Sequence, residues 1–262
     1  MHWSDLFKPR KVLAPPDLHP APGSVPDQYI VRTVGVQLRG PEALAQRLQE
    51  RAGVARNGAP LQEAAAADAL LLVSGSHALR PALSWTGALQ DSKSALQIAR
   101  KQREHGCLPK ALSLWAVSNP LRDSPDSVLR KVDAGAEVLL TQPPLLNRQF
   151  EAWYEGLSRS GVMEAAHVVI GGCMLTSARS ADFWLRLCGA RHLEGAEALI
   201  AAFVKAEAAG KAALQQHSYE HAKAQIRQAL ELPAVAGMHV MPVSKAGRRL
   251  AMQLVQENVF QR

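Results

Sequence analysis

Residues 111–145 read ALSLWAVSNPLRDSPDSVLRKVDAGAEVLLTQPPL, and this stretch carries the clearest structural pattern in the chain. It opens and closes with β-rich runs, at Ala111–Val117 and Val138–Thr141. Between them, Ser124-Pro125-Asp126 offers a capping serine, a proline suited to the first helical position and an aspartate at the positive end of a helix. Gly135 is placed to end that helix. We therefore expect a strand, a helix over Pro125–Asp133 and a second strand, which together form the repeating unit of a parallel sheet.

The same alternation runs through the chain from Tyr29 onward. Further strands are predicted at Ile30–Val36, Ala69–Val73, His167–Ile170 and Gly237–Met241. Further helices are predicted at Pro41–Ala52, Ala88–His105, Arg148–Arg159, Ala178–Cys188, Ala196–Leu214 and Tyr219–Leu230. Repetition of strand and helix predicts the α/β class, with a parallel sheet covered by helices.

The number of visible strands leaves two architectures open. One is a (β/α)8 TIM-barrel-like fold that is incomplete at the N-terminus, with one or two strands hidden or missing. The other is an open doubly wound sheet. The nucleotide-binding form of the open sheet is disfavoured, because no GxGxxG follows the first strand and no P-loop is present.

Residues 1–28 are rich in proline, which disfavours a helix and predicts an extended arm. Residues 29–262 form the predicted barrel domain. The arm lacks the apolar segment of a secretory signal peptide. The expected compartment is the cytoplasm, with the mitochondrial matrix or another organelle as the alternative.

Composition excludes several classes of protein. The 262 residues are 47% hydrophobic and 20% charged, and no apolar run reaches the roughly 18 residues that suggest a membrane span. The three cysteines are far apart, which argues against a disulfide framework and a zinc site, and no metal is expected. A net charge of +7 permits attraction to anionic partners. The basic residues are spread out with few aromatics between them, so no nucleic-acid partner is predicted.

In both architectures, ligands bind at the carboxyl ends of the strands. These ends carry amides, hydroxyls, glycines and one imidazole, and they show no carboxylate: Ser74–His77, Ser118–Pro120, Thr141–Pro144, Gly171–Cys173 and Met241–Lys245. The pattern disfavours hydrolysis by paired carboxylates and metal-assisted chemistry. It favours a site that holds an organic ligand by hydrogen bonds.

Gln142 is the most informative of these residues, since its side chain offers two donors and an acceptor just before Pro143-Pro144. The alternative is a glutamine bonded to the local backbone. His77 is a candidate general acid or base, but no carboxylate orients it, which favours an ordinary loop histidine. Cys173 lacks an activating partner and Trp115 lies within a strand, so both are expected to be packing residues.

Three segments resemble the 5,10-methylenetetrahydrofolate reductase family. They are Trp115-Ala116-Val117-Ser118-Asn119-Pro120, then Lys131-Val132-Asp133-Ala134-Gly135-Ala136, and finally Thr141-Gln142. Weaker similarity lies in Leu72–Gly75, Ile170–Leu175 and Ala236–Pro242. The chain is similar to this family over roughly residues 69–245.

The resemblance implies a (β/α)8 barrel that binds FAD and passes a hydride from NAD(P)H, through the flavin, to a folate. Trp115, Ala116, Lys131 and Ser76 would then hold the cofactor. Gln142 and Thr141 would bind the folate.

Two departures from the family pattern favour a second hypothesis. Gly75-Ser76 stands where the family has Gly-Asp, and no counterpart of the family's Phe-Glu-Phe-like turn precedes Tyr29. Loss of a general acid typically costs about 10²–10⁴ in rate. The alternative is a catalytically inactive barrel that serves as an interaction or scaffold subunit of a larger complex. A protein partner or a second copy of the chain would then cover the N-terminal arm and the sheet edges.

Overall fold

The computed structural model of the protein describes residues 10–12, 29–36, 40–54, 66–74 and 91–261. The strands are β1 (Arg10–Val12), β2 (Tyr29–Gly35), β3 (Ala69–Val73), β4 (Ser113–Ser118), β5 (Val138–Thr141), β6 (His167–Cys173) and β7 (Val235–Met241). The helices are α1 (Pro41–Ala52), α2 (Ser92–Glu104), α3 (Pro125–Asp133), α4 (Asn147–Arg159), α5 (Val162–Ala165), α6 (Ala178–Leu187), α7 (Ala196–Ala208), α8 (Lys211–Glu231) and α9 (Lys245–Gln256).

The strands follow one another in the sheet in chain order, from β1 to β7. β1 pairs antiparallel with β2, whereas β2 with β3, β3 with β4 and β6 with β7 are parallel. The predicted α/β class is confirmed. Consecutive strand order is that of a (β/α)8-type fold, while a doubly wound sheet reverses its order at a switch point. The described residues contain six strands of the parallel part, fewer than the eight of a full barrel.

Several predicted boundaries agree with the structure to the residue, among them Ala69–Val73 and Pro125–Asp133. The prediction of one helix over Ala196–Leu214 is wrong. α7 ends at Ala208, and α8 begins at Lys211 after Gly210, whose φ of 103° breaks the helical path. β6 also runs three residues beyond its predicted end at Ile170, because pairing with β7 holds Gly171, Gly172 and Cys173 in the sheet.

Of the predicted N-terminal arm, the structure describes Arg10–Val12, which form β1 against β2. The other residues of the arm lie outside the described ranges. No helix in the described part of the chain is long and apolar enough to cross a membrane.

The chain divides into two compact units. The first comprises Met1–Val117 and Leu129–Leu139, and the second comprises Ser118–Val128 and Leu140–Arg262. In the first unit, the Glu137 carboxylate accepts hydrogen bonds from the Arg103 guanidinium (2.5 Å) and the Ser113 hydroxyl (2.9 Å). This network fixes the amino end of β4, the end opposite the predicted ligand site.

Two apolar clusters organise the second unit. The first joins the segments that follow β4, β5 and β6 to helices α6 and α7, and its members include Leu121, Leu145, Leu146, Leu175, Trp184, Leu185 and Phe203. The second packs residues of α8 and α9 with β7, and it includes Ala222, Ile226, Leu250, Leu254, Met238 and Val240. α6 begins at a capping box formed by Ser177 and Ser180, which satisfies backbone N–H groups at its first turn.

Candidate functional site

The candidate site begins at the carboxyl end of β5, in the second unit. Thr141 is 2% exposed, and its hydroxyl oxygen accepts a hydrogen bond from the Gly171 N–H at 2.9 Å. The Gln142 N–H donates to the Ser118 carbonyl at 2.8 Å, which ties β5 to the end of β4. The side-chain oxygen of Gln142 is buried and has no hydrogen-bond partner among the described residues. A buried acceptor of this kind costs about 1–3 kcal/mol unless a ligand or water satisfies it.

The turn after β4 is held by a carboxylate. The Asp123 side chain accepts hydrogen bonds from the Ser118 hydroxyl (3.2 Å) and from the Asn119 N–H (3.1 Å). The expectation that no carboxylate lies at the strand ends is therefore wrong at this position. The sequence does contain a signal for this turn, since Asn-Pro favours a turn that can bring Asp123 back onto Asn119.

Asn119 links this turn to α6. Its amide nitrogen donates to the Cys188 carbonyl at 2.8 Å, and its amide oxygen accepts from the Leu121 N–H at 3.0 Å. With the apolar cluster of α6 and α7 packed on the same segments, the carboxyl ends of β4, β5 and β6 are covered by helices. Small-molecule sites are mostly apolar with a few placed polar groups, and the apolar side chains and amides at these strand ends have that chemical character.

Glycine is required at Gly171 by close packing. A Cβ there would overlap the Thr141 carbonyl oxygen and lie 2.9 Å from Cε of Met241. β6 therefore approaches β5 closely beside Thr141. In the register of β6 and β7, Gly171 lies next to His239.

Cys173 is fully buried at the end of β6, and burial raises the pKa of its thiol. Burial likewise raises the pKa of Cys188 to about 12. A thiol held protonated is not a nucleophile, so the packing role expected of Cys173 agrees with the structure.

The described residues of the predicted cofactor set lie in the first unit. Trp115 is 1% exposed, and its indole N–H donates to the Ser113 hydroxyl at 3.1 Å. Ala116 is fully buried, and the Lys131 amine donates to the Val117 carbonyl at 2.9 Å. These contacts give each residue a place in the packing of β4 and α3. The flavin contacts of Trp115, Ala116 and Lys131 stay predictions.

Ser76 and His77 lie outside the described residues. The structure thus brings Thr141 and Gln142 together with Ser118, Asn119 and Gly171 in the second unit. It adds Asp123, which holds the turn after β4, and it places His239 next to Gly171. Sequence reasoning did not single out either residue. Among the described residues, no cluster of three or more histidine, cysteine or acidic side chains could hold a metal ion.

Comparison with known proteins finds similar structures but no matching sequence family. No family model matches the chain, and no curated protein matches it. A protein from Clostridium thermocellum, described as uncharacterized and as binding two copies of 5-methyl-5,6,7,8-tetrahydrofolic acid, is 15% identical with a TM-score of 0.52. That match covers 88% of this chain and 73% of the other.

A second structure, a 4-hydroxy-2-oxoglutarate/2-dehydro-3-deoxyphosphogluconate aldolase, is 15% identical with a TM-score of 0.26. It covers 88% of this chain and 92% of the aldolase. At 15% sequence identity, the likeness to the Clostridium protein shows a shared fold and no more. Membership of the reductase family stays a prediction.

Proposed function

We propose that the second unit binds a reduced folate at the carboxyl ends of its strands, with the Gln142 amide as the recognition group. The observation that carries this proposal is the buried, unpartnered oxygen of Gln142 beside the fixed Thr141. A ligand that presents an N–H to this oxygen would satisfy it, and the pterin ring of a folate carries such groups. The Clostridium protein, which shares the fold, is described as binding a reduced folate, and this supports the same class of ligand.

Charge around the strand ends also supports an anionic ligand. Arg122 follows β4, Arg179 lies in the first turn of α6, and Lys245 opens α9 after β7. All three side chains are exposed, and the described part of the chain gives none of them an ion-pair partner. Folates carry carboxylates on their glutamate tail, which such cations attract.

The experiment is a calorimetric titration of the full chain with 5-methyltetrahydrofolate. Gln142→Met keeps the approximate volume of the side chain and removes the acceptor. We expect it to weaken binding roughly 5- to 150-fold, the factor that corresponds to one unsatisfied buried group. Gln215→Ala, at an exposed position of α8, is the matched control and should bind like the unaltered protein. If Gln142→Met and the unaltered protein bind 5-methyltetrahydrofolate with equal affinity, the proposal is wrong.

Reductase chemistry is a further proposal that rests on the sequence resemblance. Trp115 and Ala116 are buried by protein atoms and the Lys131 amine is engaged with backbone, so these described residues do not fit a flavin site as they stand. The visible spectrum of the purified protein, before and after addition of FAD and then NAD(P)H, is the test, and a bound flavin that bleaches would support hydride transfer.

The interaction or scaffold role stays the alternative prediction. It gains support if the unaltered chain binds neither folate nor flavin in these two experiments.

A further inference from the structure

The strand β7 has two different faces. Met238 and Val240 pack with Ile226, Leu254 and their neighbours from α8 and α9. Because side chains alternate along a strand, Gly237, His239 and Met241 lie on the opposite face, away from those helices. Met241 confirms this direction, since its Cε lies beside Gly171 and it borders the apolar cluster at the strand ends.

Gly171 links His239 to the candidate site. The Gly171 N–H donates to the Thr141 hydroxyl oxygen, and Gly171 is the register partner of His239. Neighbouring strands are about 4.8 Å apart, so β5, which ends at Thr141, and β7, which carries His239, are two strand spacings, or about 10 Å, apart. Gly171 stands between them, and Cε of Met241 lies close to it on the same face.

The described residues leave open space at Gly237, on this face of β7. Among the described residues, no heavy atom lies within 4 Å of the place that a Cβ at Gly237 would take, although this glycine lies inside a strand. A glycine in a strand often marks a place where a ligand or another backbone approaches closely. Gly237 is two residues from His239 on the same face, and the His239 side chain is half-buried.

We propose that His239 is a ligand-binding residue of the folate site, with its imidazole hydrogen-bonded to the ligand and Gly237 leaving space for the ligand beside it. This inference rests on the proposed function and adds a second recognition group, on β7, to Gln142. An imidazole can both donate and accept a hydrogen bond, which suits a heterocycle that carries ring nitrogens and N–H groups.

The test is the titration of the full chain with 5-methyltetrahydrofolate. His239→Phe keeps a planar ring and removes both nitrogens, and we expect about 3- to 10-fold weaker binding, the range of a single neutral hydrogen bond. His239→Gln restores a donor and an acceptor and should recover part of the affinity. Gly237→Val should weaken binding at least about tenfold by filling the space beside Gly237, where no described atom lies within 4 Å of a Cβ. The matched control is His167→Phe, at the amino end of β6, which should bind normally.

A second measurement does not depend on the folding of any variant. Diethylpyrocarbonate modifies histidines of the unaltered protein, and mass spectrometry locates the products. We expect 5-methyltetrahydrofolate to protect His239 and to leave the exposed His192 unprotected. If the unaltered chain binds the folate while His239→Phe binds equally well and His239 is not protected, the inference is overturned and the proposed function stands. If the unaltered chain does not bind, both fall.

Discussion

Single residues at the strand ends show how tightly the second unit is packed where it meets its proposed ligand. Gly171 and Gly237 have similar neighbours in the sequence, since each lies inside a strand next to an apolar residue. Their surroundings in space differ. Gly171 lies against the backbone of β5, whereas no described atom lies within 4 Å of a Cβ at Gly237. One glycine serves close packing, and the other leaves room.

This contrast predicts opposite outcomes for the same substitution. Gly171→Ala forces its methyl group onto the Thr141 carbonyl and should lower the free energy of unfolding by about 1–3 kcal/mol, as overpacking does. Gly237→Ala should change it by less than about 1 kcal/mol, because the methyl group has no neighbour within 4 Å in the part of the chain that the structure describes. Urea unfolding of the two variants measures both effects. Equal destabilisation would contradict the packing difference.

At the scale of an element, α8 carries a polar stripe on a buried face. His217, His221 and Gln225 recur every four residues, and each has a side-chain nitrogen that is buried without a hydrogen-bond partner in the part of the chain described. The Phe203 ring of α7 packs edge-on against both imidazoles, with ring centroids 4.6 Å from His217 and 5.6 Å from His221. Burial, followed by the charge of His217, lowers the pKa of His221 to about 4.

The depressed pKa predicts that acid weakens α8. The unfolded chain takes up a proton at His221 below pH 6.5, whereas the folded protein does so only near pH 4. Stability from this group is therefore complete above pH 6.5 and is lost as the pH falls from 6.5 toward 4. Between pH 7 and pH 5 we expect a loss of about 2 kcal/mol in the free energy of unfolding.

Urea unfolding at the two pH values measures this loss. His221→Phe removes the titrating group and should reduce the difference between pH 7 and pH 5 by most of that amount. A variant with the same pH dependence as the unaltered protein would assign the acid sensitivity to other groups.

At the scale of the whole molecule, the division into two units separates the predicted roles. Gln142, Asp123 and His239 belong to the second unit, while Trp115, Ala116 and Lys131 belong to the first. The proposed folate site therefore requires contacts from the second unit alone, whereas a reductase would require the predicted cofactor residues of the first as well.

Hydrogen exchange should show this separation. Saturation with 5-methyltetrahydrofolate stabilises the structure that binds it, by about 2.7 kcal/mol at a hundredfold excess over Kd. We expect slower amide exchange at the ends of β5, β6 and β7 and little change in α1 and α2 of the first unit. Protection confined to α1 and α2 would place the ligand elsewhere.

Part of the candidate site was accessible from sequence. Thr141 and Gln142 were found because Pro143-Pro144 ends the strand directly after them and because parallel strands place function at their carboxyl ends. Asp123 was missed because it lies five residues beyond the end of β4 and returns to Ser118 only through the turn. His239 was missed because it sits inside a strand, where no local pattern distinguishes a site residue from a packing residue.

Local sequence signals were enough to predict the α/β alternation and many element boundaries, since capping serines, prolines, glycines and the hydrophobic period act on neighbouring residues. Tertiary structure alone decided the strand order, the register that sets Gly171 beside His239, the bond from Asn119 to Cys188 across 69 residues, and the burial of the Gln142 oxygen. The physical reason is the separation in sequence between the segments that come into contact. Each of these features is fixed by packing between segments far apart in the chain, and local conformational preferences carry no information about which distant segments will meet.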